Sequence, residues 1–186
     1  MKKGFMSAAL VAVAVAVSGC ASVGQQNMNY QPRPNAVAQG DSQLQHRLLE
    51  LILHGDYRYG DSHINVDAYN GHVLLTGQVQ NQELKTMAGD AVKRQNDVKD
   101  VRNELEIGEN TSRTQRVKDS WITTNINSRL VVDNSIDSES VHVITENGVV
   151  YLMGTVSKHA AEDVASLAAS IDGVRKVVKV FQYIGQ

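Results

Sequence analysis

The side chains able to do chemistry are few and scattered. His46, His54, His63, His72, His142 and His159 are spread over the chain, and no two of them form the i, i+4 pair that presents imidazoles to a zinc ion from one helix face. The spacing puts His63 and His72 opposite each other across a hairpin, but two imidazoles without a third ligand make surface residues rather than a metal site. Asp97 with Asp100, and Asp137 with Glu139, read as solvated turn carboxylates. No nucleophile motif or phosphate-binding loop is present, and the glycines fall at turns. The single cysteine, Cys20, excludes an internal disulfide and a thiolate metal site. No catalytic residue, metal, cofactor or nucleic-acid partner is expected. That leaves the one tryptophan, Trp121, among Arg113, Arg116 and Lys118.

The elements that position these residues are written twice. Asn70-Gly71-His72-Val73-Leu74-Leu75-Thr76-Gly77-Gln78-Val79 and Asn147-Gly148-Val149-Val150-Tyr151-Leu152-Met153-Gly154-Thr155-Val156 share Asn-Gly-x-Val-x-Leu-x-Gly-x-Val. Asn-Gly tolerates positive φ at both central positions of a tight hairpin. Apolar residues at every second place then face one side of a strand. Gly71 and Gly148 are assigned to the turns. Gly77 and Gly154, inside the second strands, are assigned to a bulge or to a helix packed close to the backbone. Two copies of one small domain follow.

Residues 1–19 read as an export signal, with Lys2 and Lys3 before an apolar run too short to span a bilayer comfortably. Val17-Ser18-Gly19-Cys20 looks like the lipobox of bacterial lipoproteins, which implies acylation of Cys20, with palmitate among the chains, and cleavage before it. No Asp follows the cysteine, so the resemblance favours the outer membrane, on its periplasmic face. Residues 20–40 hold both prolines and read as a disordered tether. The first domain is expected over 41–109 and the second over 113–186, each in the order α-β-β-α-β. Asn81 and Ser157 are expected to cap the second helix of each. Val98, Val101, Leu105 and Ile107 suggest one last strand in the first domain, and each sheet is expected to be mixed. Charge is shared unevenly, with 7 Lys/Arg against 12 Asp/Glu over 41–110 and 8 of each over 113–186.

The repeat, the order and the tether together resemble the BON-domain family, in particular outer-membrane lipoproteins with two BON domains. The specific segments are Trp121-Ile122-Thr123-Thr124, Thr145-Glu146-Asn147-Gly148 and Leu152-Met153-Gly154, with Ile64-Asn65-Val66 and Val73-Leu74-Leu75 in the first copy. The resemblance implies an α+β fold of two tandem domains, each with two helices on a small three-stranded mixed sheet, and no catalysis. It also implies binding of anionic phospholipid, chiefly phosphatidylglycerol, by the first helix of the second domain, in support of envelope integrity at the division site.

Side-chain chemistry can be set beside that expectation. Along the helix from Arg113, Ile122, Ile126 and Leu130 form one stripe that can cover the sheet, and Trp121 lies on another face with Val117 and Thr124. Tryptophan suits a headgroup layer because its ring is apolar and its N–H still finds a partner. The expected phospholipid-binding set is Arg113, Arg116, Val117, Lys118, Trp121, Ile122 and Thr124. Two other readings stand beside it. Trp121 packs on the first domain or a domain edge, or the chain is an adaptor that offers an open strand edge to the β-barrel assembly machinery or a cell-wall-remodelling factor.

Overall fold

The computed structural model describes residues 28–185. The export signal, Cys20 and the first part of the tether therefore lie outside the described residues. The first domain comprises α1 (Asn35–Gly55), β1 (His63–Tyr69), β2 (His72–Val79), α2 (Gln82–Lys93), β3 (Asp100–Asn103) and β4 (Glu106–Ile107). The second comprises α3 (Arg113–Val132), β5 (Val141–Glu146), β6 (Val149–Val156), α4 (Lys158–Ala169) and β7 (Lys176–Tyr183). In each sheet a hairpin pairs antiparallel and the last strand returns parallel to its second strand, giving the α+β fold with mixed sheets. Asn81 caps α2 through Leu84 N–H, and Ser157 caps α4 through Ala160 N–H.

Two boundaries differ from expectation. The last strand of the first domain is split into β3 and β4, so its sheet has four strands. Both pieces follow β2 in one register, Asn103 opposite Leu75 and Glu106 opposite Gln78. The interruption lies where Leu105 N–H turns to the Asn103 side chain and Leu105 itself enters the core. The tether is also shorter than 20–40. Residues 35–40 are helical, and Tyr30 is buried against the second domain, bridged to Val156. Ser157 N–H donates to Asn29 O and Gln31 N–H to Thr155 O, and Arg33 lies 4.5 Å from the centre of the Tyr69 ring. Aromatic burial and edge hydrogen bonds fix this stretch, which composition alone marks as loop.

Each hairpin turns on a left-handed pair, Asn70 (φ 53) with Gly71 (φ 78) and Asn147 (φ 49) with Gly148 (φ 71). A buried carboxylate holds each turn. Asp41 accepts from Asn70 N–H (2.8 Å) and Gly71 N–H (2.9 Å), and Asp119 accepts from Asn147 N–H (2.9 Å) and Gly148 N–H (2.8 Å). Four backbone donors at buried turns are thereby satisfied, with the added strength of an ionised acceptor. The first helix of each domain is thus fastened to the tip of its own hairpin.

The interior glycines make room for a strand, not a helix. Gly77 has φ +109, and a Cβ there would run into the His63 carbonyl oxygen. At Gly154 the obstacle is the Ser140 carbonyl oxygen. The partner strand enters at each of these carbonyls, which corrects the expected sheet–helix contact.

Both faces of β2 and β6 are covered. Val73, Leu75 and Val79 join the core under α1 and α2, and Val150, Leu152 and Val156 join the core under α3 and α4. The intervening Leu74, Tyr151 and Met153 form a third cluster with Tyr69 and Val178, between the two sheets. The molecule is therefore layered helix, sheet, sheet, helix. The seam has an approximate two-fold relation. The Tyr69 hydroxyl donates to Ser140 O (3.3 Å), while its counterpart Glu146 lies 3.6 Å from His63, the counterpart of Ser140.

Candidate functional site

The exposed face of α3 carries the features expected of a site. Ser112 caps the helix by accepting from Gln115 N–H (3.1 Å). Asp119, Ile122, Ile126 and Leu130 are buried, and this stripe holds the helix to its sheet and hairpin. Ile122 is 2 % exposed and packs in the core. That corrects its place in the expected phospholipid-binding set, because its spacing from Ile126 and Leu130 commits it to the core stripe.

The remaining members of the set separate by exposure. Val117 is 70 % and Trp121 54 % exposed, so Trp121 is more than half open to solvent. Arg113, Lys118 and Thr124 are exposed as well, and the Thr124 hydroxyl turns back to Ser120 O (2.9 Å). Arg116 is half-buried, with Nη1 3.3 Å from His63 Nδ1 in the first domain. The structure also adds Val131 and Val132, 69 % and 75 % exposed, to the apolar surface of α3. Eleven residues return a helix to within roughly 20° of the same face, so Val132 continues the line of Trp121. That signal was available from spacing.

Beside this face a cleft of about 410 Å³ runs along the seam, between His63 and Asn65 of β1, Arg116 and Ser120 of α3, and Glu146 of β5. Glu146 is its anchor. Asn65 Nδ2 (3.1 Å) and Gln78 Nε2 (2.8 Å) of the first domain donate to its carboxylate, as does Thr111 Oγ1 (3.1 Å) of the linker. Burial pushes the Glu146 carboxyl up, but the nearby His63 imidazole and the hydrogen bonds from Gln78 and Thr111 outweigh it and hold the group below its ordinary value. These bonds tie the second domain to the first immediately under α3.

The other titratable candidates are dispersed. His63 lies opposite Gln78 and His72 opposite Tyr69, so the two imidazoles sit at opposite ends of their hairpin and do not face each other. The two-residue turn forces this, because it places residue 72 against 69. His142 pairs with Asp67 across the seam at 3.3 Å. Asp97 pairs with Arg47, and Asp137 accepts from Glu139 N–H and the Ser140 hydroxyl. Among the described residues no group of three or more His, Cys, Asp or Glu side chains is placed to hold a metal ion. Among them also, no helix is long and apolar enough to cross a membrane.

Comparison with known proteins places this architecture. The BON-domain profile matches residues 40–109 and again residues 118–185. The chain is 37 % identical over 153 residues to Outer membrane lipoprotein DolP of Haemophilus influenzae, covering 82 % of this chain and 79 % of that one. It is 35 % identical to the 21 kDa hemolysin of Actinobacillus pleuropneumoniae, with the same coverage of both chains. Osmotically-inducible protein Y of Escherichia coli is 31 % identical over 132 residues, 68 % of this chain and 64 % of that protein. With two copies of the domain, each carrying its own fastened hairpin, the chain belongs to the BON-domain family, in its two-domain, DolP-type branch.

Proposed function

We propose that this protein is an outer-membrane lipoprotein, acylated at Cys20 and facing the periplasm, that binds anionic phospholipid through α3 without catalysis. The observation that carries the reading is the solvent-facing line Val117–Trp121–Val132, flanked by Arg113 and Lys118 and with Arg116 at the adjoining seam, on a helix whose core stripe is already buried. An exposed tryptophan belongs energetically in a headgroup layer, where its ring leaves water and its N–H stays partnered. Each cation close to an anionic leaflet contributes about 1 kcal/mol, within a Debye length. Acyl chains on Cys20 would add a second attachment and keep this face close to the bilayer. Phosphatidylglycerol is the phospholipid we assign, and support of envelope integrity at the division site is the cellular role. The name of the similar Haemophilus protein supports the outer-membrane lipoprotein assignment.

The test uses the two-domain chain without its lipid. Trp121→Glu should leave the fold intact and abolish co-flotation with phosphatidylglycerol vesicles, whereas Ile126→Glu should unfold the second domain by burying an unpaired charge. A folded Trp121→Glu variant that floats as the parent does removes the membrane face and leaves the adaptor reading, served by the edge strands β1 and β5.

A further inference from the structure

The contact between Arg116 and His63 joins the cationic face of α3 to the other domain. Arg116 Nη1 lies 3.3 Å from His63 Nδ1, and His63 Nε2 lies 3.6 Å from Glu146 Oε2. Arginine only donates, so Nδ1 accepts in this arrangement and carries no proton. Nε2 faces the Glu146 carboxylate and, at 3.4 Å, the Asn65 amide nitrogen. The groups around it are Asn65 on its own strand, Glu146 on β5, and Arg116 and Asp119 on α3. Asn65 is uncharged and its Nδ2 lies between Glu146 and His63 Nε2, while Asp119 is spent on the Asn147–Gly148 turn and on Gln115. Arg116 and Glu146 are therefore the two charges that sense the ring.

We infer that His63 is a positioning residue for the membrane face: neutral, it holds Arg116 in the seam, and protonated, it releases Arg116 to the lipid. A proton on Nδ1 removes the acceptor and sets two cations together. The same proton gives Glu146 a full positive partner, so the ring stays with the seam and the guanidinium leaves it. Arg116 has a long, flexible stem and starts about 60° around the helix from Arg113, so it can swing toward Arg113 at the edge of the exposed face. Acidification thus adds one cation to the face without moving a domain. Imidazole is the side chain that changes charge near neutral pH. This inference rests on the reading of α3 as the membrane-binding face.

The experiment has a membrane-free arm and a vesicle arm. In the first, the Arg116 Nε–Hε correlation of the non-lipidated chain is followed by NMR from about pH 7.5 to about pH 5.5, the range in which imidazoles change charge. It should move in the parent and stay fixed in His63→Gln. In the second, affinity for phosphatidylglycerol vesicles should rise on acidification by roughly five-fold more in the parent than in His63→Gln, the effect of one added cation. An Arg116 signal that ignores pH in the parent, or an equal pH response in both proteins, overturns the inference and leaves the lipid-binding reading standing. An Arg116 signal that moves in a parent that binds no vesicles overturns the lipid-binding reading instead, with the His63–Arg116 release upheld.

Discussion

At the residue scale the most informative side chains are Asp41 and Asp119. Each sits one turn ahead of three buried apolar residues, as Asp41, Leu44, Leu48 and Ile52, and as Asp119, Ile122, Ile126 and Leu130. A carboxylate on the apolar stripe of a helix, repeated at the same spacing in both copies, is a legible signal that it has a buried partner. Reading the stripe for hydrophobicity alone passes over it, because the partner is the backbone of a turn 28 to 30 residues later. Asp119→Ala would leave the Asn147 and Gly148 donors without their acceptor. A buried unpaired donor costs about 1–3 kcal/mol, so thermal unfolding should begin several degrees lower, with the second domain affected first. An unchanged melting curve would show that water replaces the carboxylate at no cost. Ile122 teaches the reverse lesson. Its neighbour Trp121 draws it into a motif, yet one step along a helix turns a side chain by about 100°, which separates membrane face from core.

At the element scale the Asn-Gly hairpins and the helix order were plain from the repeat, since both rest on local chemistry. The purpose of Gly77 and Gly154 was not, because the obstructing atoms are carbonyl oxygens of the partner strand, contributed at His63 and Ser140. Gly77 also has φ +109, a conformation that side-chain-bearing residues rarely adopt. Gly77→Val therefore meets both strain and collision, and overpacking of this kind costs about 1–3 kcal/mol. The expected result is a lower denaturation midpoint for the first domain with an unchanged slope. A midpoint equal to the parent's would contradict it. The early start of α1 is hidden from composition for a different reason. Pro34 and Gly40 mark loop by composition, but Asp41 is tied to the hairpin and Arg33 to Asp41 at 2.9 Å, so the neighbouring turns are held in place.

At the scale of the whole molecule the union of the two sheets governs the rest. Leu74, Tyr151 and Met153 fall between the valines and leucines of β2 and β6, making each strand apolar on both sides. Such near-continuous apolar runs belong to strands buried on both faces, and reading them as a simple alternation hides the second face. Which surface meets that face is a question of pairing across the whole chain, and no short window contains it. The seam also answers to acid. Glu146 is held below its ordinary value in the folded protein, so its contribution is complete above the unfolded value of about 4.3 and fades as pH falls through the folded one. Between about pH 5 and pH 3 the parent should thus lose melting temperature faster than Glu146→Gln, whose amide does not titrate. Parallel losses in both proteins would place the acid response elsewhere.

The central claim is that α3 meets an anionic membrane through Trp121, and because Trp121 is the only tryptophan, the unmodified ring reports on it directly. The measurement is the fluorescence emission of the non-lipidated chain titrated with phosphatidylglycerol vesicles, with phosphatidylcholine vesicles as the neutral control. The account predicts a shift to shorter wavelength and protection from a water-soluble quencher with phosphatidylglycerol only, both weakened by salt because exposed charges are screened over about 10 Å at 0.1 M. Emission and quenching that stay unchanged at saturating phosphatidylglycerol would contradict it.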